Sequence, residues 1–217
     1  MTENQVFLAA FKRSYRQLIF DCDGVIVDSN AIKEANIREA ARSVCDPEEV
    51  DRFVAYFVGN NGVARERKIA TFFPDPAIRR AILSAYNRLN AATIPFLEPE
   101  PVTKRFLERC ARAGIPLYVL SGGEEEEVRK MLHNAGISGL FRAIMGGPLS
   151  KMDHLEQLGL TGPTCYFGDS QYDYEVAAQF GYDFVFLSRF SQFRGWRDFF
   201  AQRPGVRVVA DFRPFVS

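Results

Sequence analysis

The chain has 217 residues, of which 47% are hydrophobic and 13% aromatic. This is enough apolar material for one large domain, or for a main domain with a smaller domain inserted in it. Its 27 basic and 27 acidic side chains give a formal net charge of zero, so no overall field attracts nucleic acid or an anionic membrane. No apolar run approaches the roughly 20 residues of a transmembrane helix.

The N-terminal part of the chain predicts one strand followed by a helical insertion. Residues 1–16 predict an extra helix without evident chemistry, and the absence of positive charge before its apolar patch argues against a secretory signal. Gln17–Phe20 (QLIF) is a continuous apolar run that predicts a buried strand. Residues 31–95 contain no convincing strand, and apolar side chains recur there at helical spacing, as at Ile82 and Tyr86. We therefore predict a small helical cap at 31–95, inserted after the first strand.

The rest of the chain alternates between strand and helix patterns. Apolar runs predict strands at Pro116–Leu120, Ala143–Met145, Cys165–Phe167, Phe184–Leu187 and Val206–Ala210. Helical patterns occupy Pro101–Ala113, Glu124–Asn134, Lys151–Leu158 and Tyr172–Phe180. Because the strands are continuously apolar, they favour a parallel sheet covered on both faces. The sequence predicts an α/β fold with a Rossmann-like three-layer core made of residues 1–30 and 96–217.

Polar residues follow four of the predicted strands. Asp21, Ser121 and Asp169 come just after the first, second and fourth strands, and Lys151 follows the third at the end of GGPLSK. Since ligands of open α/β sheets bind at the carboxyl ends of the strands, we expect these side chains to meet in one crevice. Carboxylates gathered there repel each other unless a cation lies between them, and oxygen ligands favour Mg²⁺.

The residues around Ser121 predict an anion site beside that metal. Gly122 and Gly123 follow Ser121 and are expected to open the next helix, so that their amides point at a bound anion. The run Glu124–Glu127 predicts a solvated first helical turn. This combination is typical of phosphoryl transfer through an aspartyl-phosphate: a metal ion, a lysine, backbone amides and a free carboxylate.

The same positions form four sequence motifs. FDCDGVIVDSN at 20–30, LSGG at 120–123, Lys151 and GDSQYDYEVA at 168–177 resemble, in order, the motifs of the haloacid dehalogenase-like hydrolases. They cover the core from 17 to 187. The helical insertion after the first motif resembles the cap of the phosphoglycolate-phosphatase and β-phosphoglucomutase branch.

The resemblance implies which residues carry out the chemistry. Asp21 would attack phosphorus, and Asp23 would protonate the leaving oxygen and then activate water. Mg²⁺ would be held by Asp21, by the backbone carbonyl of Asp23 and by Asp169.

The resemblance also implies the residues around the transferred group. Ser121, Gly122 and Lys151 would bind the phosphoryl group and neutralise its charge. Asp173 lies one helical turn beyond Asp169 and would orient a metal-bound water or Lys151 from behind the ligands.

Two further segments concern the substrate. GVARERKI at 62–69 is similar to the GVSRxxSL segment of β-phosphoglucomutases, which makes Arg65 a candidate substrate contact; an arginine on the helix surface is the alternative. The mutase branch has a histidine where this chain has Lys33, a departure that weakens the mutase interpretation. DSNxIK at 28–33 resembles phosphatase-like relatives associated with surface-sugar synthesis, so a sugar phosphate is one candidate substrate.

The sequence as a whole predicts a Mg²⁺-dependent phosphomonoester hydrolase acting on a small phosphorylated metabolite. A sugar-phosphate mutase and a phosphate-sensing regulator without turnover remain alternatives. The four cysteines form no CxxC pair and the two histidines are isolated, so we expect free thiols in a reducing cytoplasm rather than zinc. No nucleic acid, membrane or protein partner is expected.

Overall fold

A parallel six-stranded sheet forms the centre of the molecule in its computed structural model, which describes residues 14–216. The strands are β1 (Gln17–Phe20), β2 (Leu117–Glu124), β3 (Ala143–Gly147), β4 (Thr164–Gly168), β5 (Asp183–Leu187) and β6 (Arg207–Val209). They lie in the order β3-β2-β1-β4-β5-β6, and each neighbouring pair is parallel. All six predicted strands are confirmed. The chain order reverses at β1, which places a crevice at the carboxyl end of this strand.

Helices account for most of the remaining described residues. They are α1 (Asn30–Arg42), α2 (Pro47–Gly59), α3 (Arg65–Phe72), α4 (Pro76–Thr93), α5 (Pro101–Arg112), α6 (Glu125–Asn134), α7 (Lys151–Leu158), α8 (Gln171–Gln179) and α9 (Trp196–Ala201), with 3₁₀ turns at Ile94–Phe96, Ser138–Leu140 and Arg213–Phe215. None of the helices within residues 14–216 combines the length and apolarity that crossing a membrane requires.

The core has three layers because side chains of β1 to β5 alternate between two apolar clusters. Phe20 and Phe167 face a cluster shared with α5 and α6, whereas Ile19 and Tyr166 face a cluster shared with α7, α8 and α9. Both faces of these strands are thus covered, which is why they are mostly apolar. The predicted Rossmann-like α/β core is confirmed.

Helices α1 to α4 form the predicted cap, and they pack around an apolar core of their own. Phe53, Phe57 and Tyr86 are among its buried side chains. The sequence sets where two of these helices begin: Asp46 and Asp75 cap α2 and α4 through hydrogen bonds to backbone N–H groups, and a proline follows each of them. A small helical cap after the first strand is therefore confirmed. Of the helix expected in residues 1–16, residues 1–13 lie outside the described part of the chain.

The end of β2 differs from the prediction. Gly122 and Gly123 continue the strand to Glu124 instead of opening the next helix. Backbone pairing with β3 explains the difference, since Gly147 pairs with Glu124 across a register shift. The approach is so close that a Cβ on Gly146 would lie 2.6 Å from the carbonyl oxygen of Gly123. The residues expected to form an anion site at a helix N-terminus therefore lie at the end of a strand.

Candidate active site

Three buried carboxylates meet at the carboxyl edge of the sheet. Asp21 follows β1, Asp169 follows β4 and Asp173 lies in the first turn of α8, and each offers an oxygen within 4.8 Å of the other two. The fold brings the first two together because β1 and β4 are adjacent and parallel. All three residues are at most 2% exposed.

Burial disfavours the charged form of these clustered carboxylates. Burial raises the pKa of Asp21 to about 7, even though the ammonium group of Lys151 lowers it. Burial also raises the pKa of Asp169 well above its ordinary value, and the charge of Asp21 adds to the effect. Anions placed in this way need positive charge nearby. A hard divalent cation that prefers oxygen ligands would supply it, so the residues present fit the predicted Mg²⁺.

Lys151 supplies positive charge from the protein itself. Its Nζ lies 2.8 Å from Asp21 Oδ1 and 2.6 Å from Asp173 Oδ1, and the residue is 1% exposed. Burial works to lower the pKa of Lys151, but Asp173 and Asp21 raise it well above its ordinary value. Ser150 caps α7 and fixes where this helix begins. Lys151 is therefore a permanent cation held against the predicted nucleophile.

The two carboxylate oxygens of Asp173 have different hydrogen-bond partners. Oδ1 accepts hydrogen bonds from Lys151 Nζ and from the Tyr166 hydroxyl at 3.0 Å. Oδ2 accepts from the backbone N–H and the hydroxyl of Ser170, whose Oγ in turn accepts from the N–H of Asp173. This reciprocal pair is a capping box that starts α8.

Asp23 is held by partners on α1 and on the loop before it. Both of its carboxylate oxygens lie close to Lys33 Nζ, at 2.6 and 2.7 Å, and Ser29 Oγ donates a further hydrogen bond. Burial works to raise the pKa of Asp23, but Lys33 and Ser29 keep it below its ordinary value. Its carboxylate is not part of the group formed by the other three aspartates, so any contact with a metal held there would come from its backbone.

The predicted phosphate-binding residues lie at the end of β2. Ser121 Oγ accepts a hydrogen bond from Gly123 N at 2.9 Å and lies 3.4 Å from Asp23 Oδ2. A Cβ on Gly122 would lie 2.6 Å from the carbonyl oxygen of Gly62. The end of β2 therefore faces the carboxylate of Asp23 on one side and touches the cap on the other.

A small pocket of about 40 Å³ lies between the cap and the sheet edge. Asp21, Asp23 and Asp169 line it from the core, and the cap contributes Phe57 and Lys68 among others. Polar contacts close its rim. Asn61 of the cap donates to Gln192 of the core at 3.1 Å, and Gln192 donates to Glu34 at 2.7 Å. The cap is closed over the carboxylates.

Arg65 lines this pocket but is paired within the protein. It is 3% exposed, which excludes the helix-surface alternative. Its guanidinium donates to Glu127 Oε1 at 2.6 Å and to Asn87 Oδ1 at 2.8 Å, and it lies 5.0 Å from the ring centroid of Tyr86. The prediction of a solvated turn was wrong for Glu127, because α3 covers it with Arg65. A direct contact between Arg65 and substrate stays a prediction.

Sequence reasoning missed several residues of the site. Asn30 donates to Asp169 Oδ2 and to the carbonyl oxygen of Phe190, both at 2.9 Å. Its only sequence signal was its place at the end of the first motif. Lys68 and Glu127 gave no signal, since helical periodicity does not show which face of a cap helix meets the core.

Comparison with known proteins places these features in a family. The sequence model described as haloacid dehalogenase-like hydrolase matches residues 15–181. No curated protein matches the sequence.

Solved structures share the fold at low sequence identity. A haloacid dehalogenase-like family protein from Streptococcus pneumoniae is 20% identical, with 90% of this chain and 94% of that chain covered and a TM-score of 0.67. CbbY from Rhodobacter sphaeroides, solved in complex with phosphate, is 17% identical, with 91% and 95% covered and a TM-score of 0.65. Protein tyrosine kinase A from Mycobacterium tuberculosis is 23% identical, with 81% and 84% covered and a TM-score of 0.60. Such likeness establishes the fold and not the reaction.

Proposed function

The chain belongs to the haloacid dehalogenase-like hydrolase family, as its four motifs indicated, and we propose that it is a Mg²⁺-dependent phosphatase of a small phosphorylated metabolite. The reaction would pass through an aspartyl-phosphate on Asp21. The observation that carries this proposal is the position of Lys151 Nζ, 2.8 Å from Asp21 Oδ1, next to a group of buried carboxylates that suits a divalent ion. A nucleophilic carboxylate, a fixed cation and oxygen ligands are what phosphoryl transfer needs.

Mg²⁺ would be held by Asp21, Asp169 and the backbone carbonyl of Asp23, with Asp173 behind them. The ion would neutralise charge on the phosphoryl oxygens and on the carboxylates. Lys151 and Ser121 would bind the same phosphoryl group from the protein side.

The protein residues would act in two steps. In the first step an oxygen of Asp21 forms a bond to phosphorus, the bond from phosphorus to the leaving oxygen breaks, and Asp23 gives that oxygen a proton. In the second step Asp23 takes a proton from water, whose oxygen attacks phosphorus and frees both inorganic phosphate and the Asp21 carboxylate. The ion pair with Lys33 at 2.6 Å favours the charged form of Asp23, which suits the second step.

The closed cap supports a compact substrate. The pocket of about 40 Å³ leaves little room beyond a phosphoryl group and a short skeleton, so the cap would open to admit substrate and close to exclude water. A sugar phosphate is one candidate. Cys22, Cys45, Cys110 and Cys165 are free, which supports our expectation of a reducing cytoplasm.

Phosphate release tests the proposal directly. Purified protein should release phosphate from 4-nitrophenyl phosphate and from members of a panel of small phosphorylated metabolites with Mg²⁺, and lose this activity in excess EDTA. Asp21→Asn should lower turnover by about 10³-fold or more, whereas Asp198→Asn on the exposed face of α9 should not. Full activity of Asp21→Asn would refute the assigned nucleophile.

Two other products would point to the alternatives. Conversion of a hexose 1-phosphate to an isomeric sugar phosphate without phosphate release would identify a mutase. A stably phosphorylated protein that releases no phosphate would identify a regulator.

A further inference from the structure

Three cations of the cap line the pocket opposite the catalytic carboxylates: Lys33, Arg65 and Lys68. Two of them have carboxylate partners. Lys33 Nζ lies 2.6 Å from Asp23 and 3.4 Å from Glu127, and Arg65 lies 2.6 Å from Glu127. Lys68 differs, because no carboxylate oxygen among residues 14–216 lies within 4.0 Å of its Nζ.

The surroundings of Lys68 only partly satisfy its ammonium group. The residue is 5% exposed. Its Nζ donates to the carbonyl oxygen of Phe57 at 3.2 Å and lies 3.5 Å from the centroid of the Phe57 ring. An ammonium group has three protons to donate, and the described contacts use one of them in a hydrogen bond.

The electrostatic environment leaves Lys68 short of negative charge. Burial and, to a smaller extent, the neighbouring charge of Lys33 lower the pKa of Lys68 to about 7, while Asp23 acts in the opposite direction. Arg65 and Glu66 also face it, with opposite effects. A buried cation without a counter-charge is unfavourable, so the pocket is set up to gain from an added anion.

We propose that Lys68 binds a second anionic group of the substrate, a carboxylate or a phosphate, and so selects phosphomonoesters that carry one. This inference rests on the proposed phosphatase function. The second anion would give Lys68 the partner that Glu127 gives to Arg65. A substrate with a neutral remote end would leave the ammonium group buried and unpaired, which is how a site rejects an analogue lacking the right group.

The pocket also limits how far apart the two anionic groups lie. Lys68 and the carboxylates of Asp21 and Asp169 line the same space of about 40 Å³. A short skeleton therefore separates the transferred phosphoryl group from the second anion. The substrates that test this inference are accordingly small.

Matched pairs of substrates isolate the second anion. 3-Phosphoglycerate and sn-glycerol 3-phosphate differ in a carboxylate against a hydroxymethyl group, as do 2-phosphoglycolate and 2-hydroxyethyl phosphate. Propane-1,3-diyl bisphosphate and 3-hydroxypropyl phosphate differ in one phosphate. With Mg²⁺, wild-type protein should favour the more anionic member of at least one pair by about tenfold or more in kcat/KM.

Variants at position 68 assign that preference to the lysine. Lys68→Met should bring the ratio within the preferred pair close to one, through a KM that rises by about tenfold or more for the anionic member. Lys68→Arg keeps the charge and should keep much of the preference. Lys130→Met, which removes an exposed lysine of α6, should leave both substrates unaffected. Thermal unfolding of each variant verifies that it is folded.

Several outcomes would overturn the inference. A wild-type protein that hydrolyses neutral and anionic members equally well would do so, and so would a folded Lys68→Met variant that keeps the preference or loses both activities in parallel. If 4-nitrophenyl phosphate and every member of the pairs release no phosphate with Mg²⁺, the proposed function itself fails, and this inference falls with it.

Discussion

Arg65 in the cap and Glu127 in the core form a buried ion pair whose charged atoms lie 2.6 Å apart. The same Oε1 of Glu127 lies 3.4 Å from Lys33, which in turn holds Asp23. One carboxylate of α6 thus joins two cap helices, α1 and α3. The position of the cap is therefore tied to the orientation of the predicted acid–base residue.

Glu127→Gln should loosen the cap. Removing this charge leaves Arg65 buried without its partner, which costs about 3 kcal/mol of unfolding free energy. We expect kcat to fall by about tenfold, because Asp23 loses its fixed position, and hydrogen exchange in α3 to accelerate. Glu126→Gln on the exposed side of the same helix is the control. Unchanged exchange and unchanged kcat in Glu127→Gln would show that the pair does not hold the cap.

Gly122→Ala should prevent the cap from closing. A Cβ at this position would lie 2.6 Å from the carbonyl oxygen of Gly62. Because this is too close, backbone atoms of the cap would have to move away. We expect kcat/KM of the variant to fall by about 10²-fold. Its midpoint of unfolding in urea should stay close to that of the wild type. Gly59→Ala, where a Cβ would meet nothing within 4 Å, should be active. Wild-type kinetics for Gly122→Ala would mean that turnover does not need this contact.

Lys151→Met should be much less active and less stable than the wild type. The substitution leaves Asp21 and Asp173 buried without the cation that lies 2.8 and 2.6 Å from them. We expect a loss of about 3–5 kcal/mol in urea denaturation without metal and a fall in kcat of about 10²-fold or more. Mg²⁺ should restore part of the stability and little of the activity. Equal stability of Lys151→Met and the exposed control Lys130→Met would contradict the role given to this ion pair.

Mg²⁺ should raise the unfolding temperature of the wild-type protein. An ion that binds only the folded state at about 100 times its Kd adds about 2.7 kcal/mol, a shift of several degrees in Tm that differential scanning fluorimetry detects. Asp169→Asn should abolish the shift. Without metal the variant should match or exceed the wild type in stability at pH 7, because burial disfavours the charged form of Asp169. If Mg²⁺ does not change the Tm of either protein, the result would argue against a metal site here.

Lys68→Met should be more stable than the wild type at neutral pH. Burial lowers the pKa of Lys68 from 10.5 to about 7, so between these values the unfolded chain binds a proton that the folded protein does not. The destabilising effect of Lys68 is therefore complete below pH 7 and fades as the pH rises toward 10. We expect the variant to gain about 1–3 kcal/mol at pH 6.5 and its advantage to shrink at pH 9.5. A constant difference across this range would mean that Lys68 keeps its ordinary pKa.

The fold of the core and the residues of the site were predictable from sequence, because both depend on local sequence patterns. Strands buried on both faces are mostly apolar, as residues 18–20 of β1 are, so their number and parallel arrangement followed. Asp21, Asp169 and Lys151 were expected to meet because each follows a strand whose end lies at the same edge. The prediction that Gly122 and Gly123 open a helix was wrong, because backbone pairing with β3 extends the strand through them.

The contacts between cap and core were not predictable, because they join residues far apart in the chain. Arg65 and Glu127 are 62 positions apart, and Asn30 and Asp169 are 139 apart. Nothing in the local periodicity of α3 or α6 encodes how the cap rests on the sheet. A run of four glutamates at the start of a helix is ordinarily solvated, whereas here the cap lies against Glu127 through Lys33 and Arg65.

The divided bonding of Asp173 has a practical consequence for identifying the natural metabolite. An inactive protein used as bait for mass spectrometry must keep its pocket intact, and Asp173 is a poor place to inactivate it, since one of its oxygens starts α8. Asp21→Asn replaces one carboxylate oxygen with an NH2 group, which removes the nucleophile and its charge, but it preserves side-chain size. That variant is the better bait for capturing a bound metabolite from cell extract.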